Sequence, residues 1–230
     1  FDNFIEDPDL CVVLDKDGTT SRGEGAYLFV CNKEKKLWDS IENALKDLKF
    51  IEDYLNRYKK SLFETDISDQ LIKMKKMLLE VKKYGRKVII AGNGGSAAAA
   101  SHVAVDFTKQ SGIRTVNFNE ADLITCFSND YGYEYWVSKA IEFYGDEDDL
   151  VILISSSGSS TNIVNAAKTA KQMGLPVITF TGFRSDNPLK QEGELNLWVD
   201  SKAYNVVENT HQIWLLMVCD LIIGKAEYSA

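Results

Sequence analysis

Histidine is scarce in this chain, with 2 in 230 residues, and so are proline, with 3, and cysteine, with 4. Cys11, Cys31, Cys126 and Cys219 stand far apart and form no CxxC pair. That spacing excludes zinc-finger and thioredoxin-type readings and points to reduced, structural thiols. Positive charge is also in short supply. The 26 Lys+Arg face 34 Asp+Glu, for a formal net charge of −8, so no basic footprint is available to neutralise nucleic-acid phosphates. Long apolar runs are missing as well: VVL at 12–14, VII at 88–90, LVILI at 150–154 and WLLMVC at 214–219 all fall below the roughly 18 residues of a membrane-spanning helix. The acidic opening residues carry neither the basic nor the apolar part of a secretory signal. Together these absences predict a cytoplasmic protein with no nucleic-acid and no membrane partner. Core-forming material is plentiful. Hydrophobic residues make up 45% and aromatics 11%, enough for one generous domain or a domain with an appendage.

From Lys87 onward, short β-branched runs alternate with longer amphipathic ones, the pattern of strands joined by crossover helices in a parallel sheet. Strands are predicted at Lys87–Ala91, Thr115–Phe118, Leu150–Ser155, Pro176–Thr181 and Leu195–Val199. Helices are predicted at Ser96–Lys109, Ala121–Ser128, Tyr133–Tyr144, Ser160–Met173 and Tyr204–Ile223. The fold class is α/β, with a doubly wound parallel five-stranded sheet flanked by helices. Residues 1–65 read as a separate N-terminal extension and residues 66–230 as the main domain. Leu10–Leu14 and Ala26–Cys31 flank a turn-rich stretch and suggest a small hairpin. Leu37–Leu48, Phe50–Phe63 and Ile67–Tyr84 suggest three helices that cover the sheet or mediate assembly. Asp15-Lys16-Asp17-Gly18-Thr19 resembles the first motif of haloacid-dehalogenase phosphatases but reads more simply as a polar turn.

Two strand-to-helix junctions carry the chemistry. Gly92-Asn93-Gly94-Gly95-Ser96 follows KVIIA and opens an Ala-rich helix. Glycines allow close backbone approach there, and a helix N-terminus presents free N–H groups and partial positive charge to an anion. No GK[ST] follows and the GxGxxG spacing is incomplete, so no nucleotide cofactor is expected. The second junction, Ser155-Ser156-Ser157-Gly158-Ser159-Ser160-Thr161, links a buried strand to another helix. Its hydroxyls and amides can ring a phosphate without any basic side chain.

Both histidines fall on helices beside these junctions. His102 has Asp106 at i+4, and His211 has Glu208 at i−3. The two acid–imidazole pairs could meet across a cleft as acid–base partners, or hold a metal through His102, Asp106, Glu208 and His211.

The stretches AGNGGSAAAASH, FSNDYGYE, DDLVILISSSGSSTNIVNAA and GLPVITFTG carry a resemblance. From about Ile67 to Ile223 the chain is similar to the SIS-domain sugar isomerases, and more narrowly to the phosphoheptose isomerases. The first 65 or so residues lie outside the resemblance. It implies an isomerase that converts sedoheptulose 7-phosphate to D-glycero-D-manno-heptose 7-phosphate for a surface polysaccharide such as lipopolysaccharide or capsule. It also implies a homotetramer with sites shared between subunits, and zinc in some members. Carried over position by position, Asn93, Gly94, Ser96, Asn129, Asp130, Ser155, Ser156, Ser157 and Ser160 match substrate-side positions. His102 and Asp106 match a catalytic histidine and glutamate, which makes the base one methylene shorter here. Glu208 matches a glutamine, Gln110 an arginine and Leu216 a catalytic and zinc-binding histidine, while His211 matches a different histidine. Asp106, His102 and His211 are therefore the candidate catalytic residues. A non-catalytic SIS module that binds a sugar phosphate or a protein partner is the alternative.

Overall fold

The computed structural model describes residues 32–228. The chain divides into two units, Phe1–Asn56 and Arg57–Ala230. Helix α1 (Asn32–Phe63) is continuous where two helices were expected; neither Pro nor Gly interrupts residues 32–63, so nothing breaks its hydrogen-bond ladder. Within the first unit it exposes Ile41, Leu45, Leu48, Ile51 and Leu55. The expected N-terminal hairpin and the Asp15–Thr19 turn, like Cys11 and Cys31, lie outside the described residues.

The second unit follows the predicted alternation. After α2 (Ser68–Lys83) come β1 (Val88–Gly92), α3 (Gly95–Lys109), β2 (Thr115–Val116), α4 (Ala121–Tyr131), α5 (Trp136–Tyr144), β3 (Leu150–Ser155), α6 (Thr161–Gln172), β4 (Val177–Thr181), β5 (Leu195–Trp198) and α7 (Tyr204–Ile223). The strands form one parallel sheet in the order β2-β1-β3-β4-β5. Successive side chains on a strand face opposite ways. Val88 and Ile90 of β1 accordingly join α2, α3 and α7 in one core, whereas Ile89 and Ala91 join α5 and α6 in the other. Strands buried on both faces explain why β1 and β3 read as unbroken apolar runs.

Among the described residues, α7 is long and apolar enough to cross a membrane, although its longest uninterrupted apolar run is short. Its composition has another cause. Val207, Trp214, Leu215, Val218 and Cys219 are buried against the sheet, α2 and α3. The end of α1 is tied to this helix by Ser61 Oγ, 3.1 Å from Thr210 Oγ1. Of the two described cysteines, Cys126 is exposed and Cys219 is buried, and both are free thiols.

Candidate functional site

The chain runs from β1 outward to β2 and then returns to place β3 on the other side of β1. The order of connection therefore reverses between β1 and β3, and ligands of open α/β sheets bind in the crevice at such a reversal. The register pairs Gly92 with Ile154, which sets the 92–96 and 155–161 junctions side by side. A cleft of about 530 Å³ opens between them, lined by Asn93, Tyr133, Glu134, Ser160, Thr161 and Asn162.

Reciprocal amides join the junctions. Asn93 Nδ2 donates to Asn162 Oδ1 and Asn162 Nδ2 donates to Asn93 Oδ1, each at 2.9 Å. The Tyr133 hydroxyl adds a bond to Asn93 Oδ1 at 3.2 Å. The first amides of a helix have no partner within it. Here Gly94 and Ser160, the N-caps of α3 and α6, make no side-chain cap; the Ser96, Ala97 and Ile163 amides donate to backbone carbonyls, and those of Gly95, Thr161 and Asn162 stay available to a ligand. Ser155 Oγ donates to Ser160 Oγ at 3.1 Å, and the buried Ser156 Oγ has no partner in the structure. Ser157 Oγ accepts from the backbone N–H of Ser159. Ser96 is buried at the start of α3. The cleft is lined by no basic residue, so an anion there must be held by neutral donors and helix termini.

Glycine at position 95 is a requirement of close approach. A Cβ there would run into the Glu208 carboxylate, which α7 delivers to the start of α3. A carboxylate is favourable beside a helix N-terminus, but it repels a phosphate dianion. Gly95→Ala should displace the flexible Glu208 side chain while changing stability by less than about 1 kcal/mol. Loss of one charged hydrogen bond to substrate then corresponds to a KM rise of about tenfold. In a double-mutant cycle, Gly95→Ala on a Glu208→Ala background should add nothing further.

His102 and Asp106 stand on α3, roughly 10 and 16 Å along the axis from Gly95, with side chains leaning back towards its N-terminus. His102 Nε2 lies 3.4 Å from Asp106 Oδ2. Its other ring nitrogen, Nδ1, is 2.9 Å from Gln212 Nε2 on α7. Asn129 and Asp130 lie exposed at the end of α4 and bond to one another, Asn129 Nδ2 to Asp130 Oδ1 at 2.9 Å.

The expected role of His211 needs correction. The residue is fully buried, its Nε2 is 3.0 Å from the Thr181 carbonyl oxygen, and its ring packs edge-on against Phe180. At about 100° per residue, Glu208 and Gln212 share the α7 face turned to α3, while His211 is rotated towards β4. The proposed set of four metal ligands does not assemble within the chain. No group of three His, Cys, Asp or Glu side chains suited to a metal occurs among the described residues. Leu216 supplies no donor and is partly buried against the core.

Asn162, Tyr133 and Gln212 were not singled out by sequence. Gln212 had a usable signal, since it lies four residues after Glu208 and so on the same helical face. Asn162 and Tyr133 had none, because their partner Asn93 belongs to a distant part of the chain.

Comparison with known proteins places this geometry among relatives. A family model described as the SIS domain matches residues 50–182. The chain is 32% identical over 168 residues to a phosphoheptose isomerase of Aliarcobacter butzleri, covering 70% of this chain and 88% of the relative. It is 35% identical over 148 residues to a probable phosphoheptose isomerase of Thermoplasma acidophilum, covering 61% and 80% of the two chains. The solved structure of a phosphoheptose isomerase from Francisella tularensis is similar, with a TM-score of 0.72 at 26% identity over 77% of this chain and 98% of that one.

Proposed function

The chain belongs to the SIS-domain family, and from that premise we propose that it is a phosphoheptose isomerase, interconverting sedoheptulose 7-phosphate and D-glycero-D-manno-heptose 7-phosphate. One observation carries the reading. Two helix N-termini without side-chain caps, joined by the Asn93–Asn162 amide pair, open onto one cleft at the sheet's reversal point. The likeness to phosphoheptose isomerases supports the choice of sugar.

Converting the ketose to the aldose removes a proton from C1, passes through an enediolate and returns a proton to C2, while the O1 hydroxyl gives up its proton and O2 gains one. Asp106 is the carboxylate that moves the carbon proton, and His102 beside it serves the oxygens. The serine junction holds the phosphate, and Glu208 receives sugar hydroxyls. The enzyme works in the cytoplasm and feeds synthesis of a surface polysaccharide. It assembles as a homotetramer, for which the apolar side chains exposed along α1 offer surface.

The test is a proton NMR assay of sedoheptulose 7-phosphate with the purified protein in deuterated water. Anomeric signals of the heptose 7-phosphate should grow in, with deuterium at C2 because the base exchanges its proton with solvent. If no product forms while the sugar phosphate still raises Tm, the non-catalytic binder is the correct reading.

A further inference from the structure

We propose that Gln212 is a positioning residue of this site: its side-chain amide holds His102 in the tautomer that carries its proton on Nε2, facing Asp106. The inference rests on the isomerase reading for its kinetic consequence, but the tautomer itself is a property of the free protein.

Two contacts lead to it. Gln212 comes from α7, four residues after Glu208, and reaches across to α3. Its Nε2 is 2.9 Å from His102 Nδ1, and His102 Nε2 is 3.4 Å from Asp106 Oδ2. A neutral imidazole has one N–H and one lone pair. An amide nitrogen only donates, so the Nδ1 that Gln212 faces at 2.9 Å is the acceptor. A neutral ring then carries its hydrogen on Nε2, the nitrogen on the Asp106 side. Turned the other way, the amide would place its oxygen against a lone pair. That bond fits one neutral tautomer only, the one protonated on Nε2. His102 is 49% exposed at its side chain, so α3 packing alone does not hold the ring, and the reach from α7 supplies the second point of attachment.

The consequence for turnover is specific. With the ring held, Nε2–H stays beside Asp106, where it can turn to a sugar oxygen. Without Gln212 the ring is free to rotate or to move its proton to Nδ1, which would set a lone pair against the carboxylate. Partners that orient a functional histidine typically account for a factor of 10 to 100 in activity.

The test uses long-range nitrogen–proton NMR of the two imidazoles in the full chain at neutral pH, without substrate. The chain has 2 His, and His102→Gln assigns the signals. His102 of the wild-type protein should show a protonated Nε2 and a bare Nδ1. Gln212→Leu should give mixed tautomers and lower kcat by about 10- to 100-fold with KM nearly unchanged. Gln212→Glu presents an acceptor to Nδ1 and should protonate that nitrogen. A wild-type ring protonated on Nδ1, a doubly protonated ring, or a Gln212→Leu variant with unchanged spectrum and kcat would each overturn the proposal. Gln212 is outside the core, and a matching Tm for each variant separates lost positioning from lost folding. A wild-type protein that turns over no sugar phosphate defeats the isomerase reading, whereas the tautomer stands or falls on the spectra.

Discussion

Asp106→Asn is expected to lower kcat for sedoheptulose 7-phosphate by a factor of about 10² to 10⁴, the usual contribution of a positioned general base. The substitution keeps the shape of the side chain and removes its ability to take a carbon-bound proton. Sugar-phosphate binding should survive, because the phosphate is assigned to the distant Ser155–Ser160 junction. Initial rates by NMR and the ligand-induced rise in Tm read the two quantities separately. Asp106→Glu restores the carboxylate on a longer arm, the arrangement implied by the resemblance to the isomerases, and should keep far more activity than the Asn variant. An Asn variant with wild-type kcat would remove Asp106 from the mechanism.

The second large effect concerns stability in acid. Burial pushes the His211 imidazole down from 6.5 to about 4, against a smaller opposing contribution from its hydrogen bond to the Thr181 carbonyl. The folded protein therefore refuses a proton that the unfolded chain accepts. Stability from this residue is fully present above about pH 6.5 and is lost as the pH falls towards 4, with a total on the order of 3 kcal/mol. The carboxyl of Asp146, held below 3.8 by its bond to Lys87, acts only at still lower pH, so the windows separate. Urea midpoints measured between pH 7 and about pH 4.5 should fall steeply in the wild-type protein and much less in His211→Gln. Equal slopes in the two proteins would mean that the imidazole is not the group responsible.

These two predictions mark how far sequence reasoning reached. His102 and Asp106 were legible because a helix puts i and i+4 on one face whatever surrounds it. His211 and Glu208 look like the same kind of pair, yet the structure turns one to the core and the other to α3. Spacing along a helix shows which residues are neighbours but not which way the helix is rolled on the sheet. The split of the first long helix failed for a local reason. The sequence suggests separate helices over Leu37–Leu48 and Phe50–Phe63, whereas in the absence of a breaker the backbone continues through Lys49.

Strand and helix order, the parallel character of the sheet and the position of the two strand-to-helix junctions were determined by sequence alone. They depend on local backbone chemistry and on which residues can be buried on one face or two. Tertiary structure decided what each junction faces. The return of β3 to the side of β1 brought Asn93 to Asn162, and the roll of α7 delivered Glu208 to Gly95 and Gln212 to His102 while burying His211. Such contacts arise between segments far apart in the chain. They are set by the packing of helices on a sheet, which no local pattern encodes.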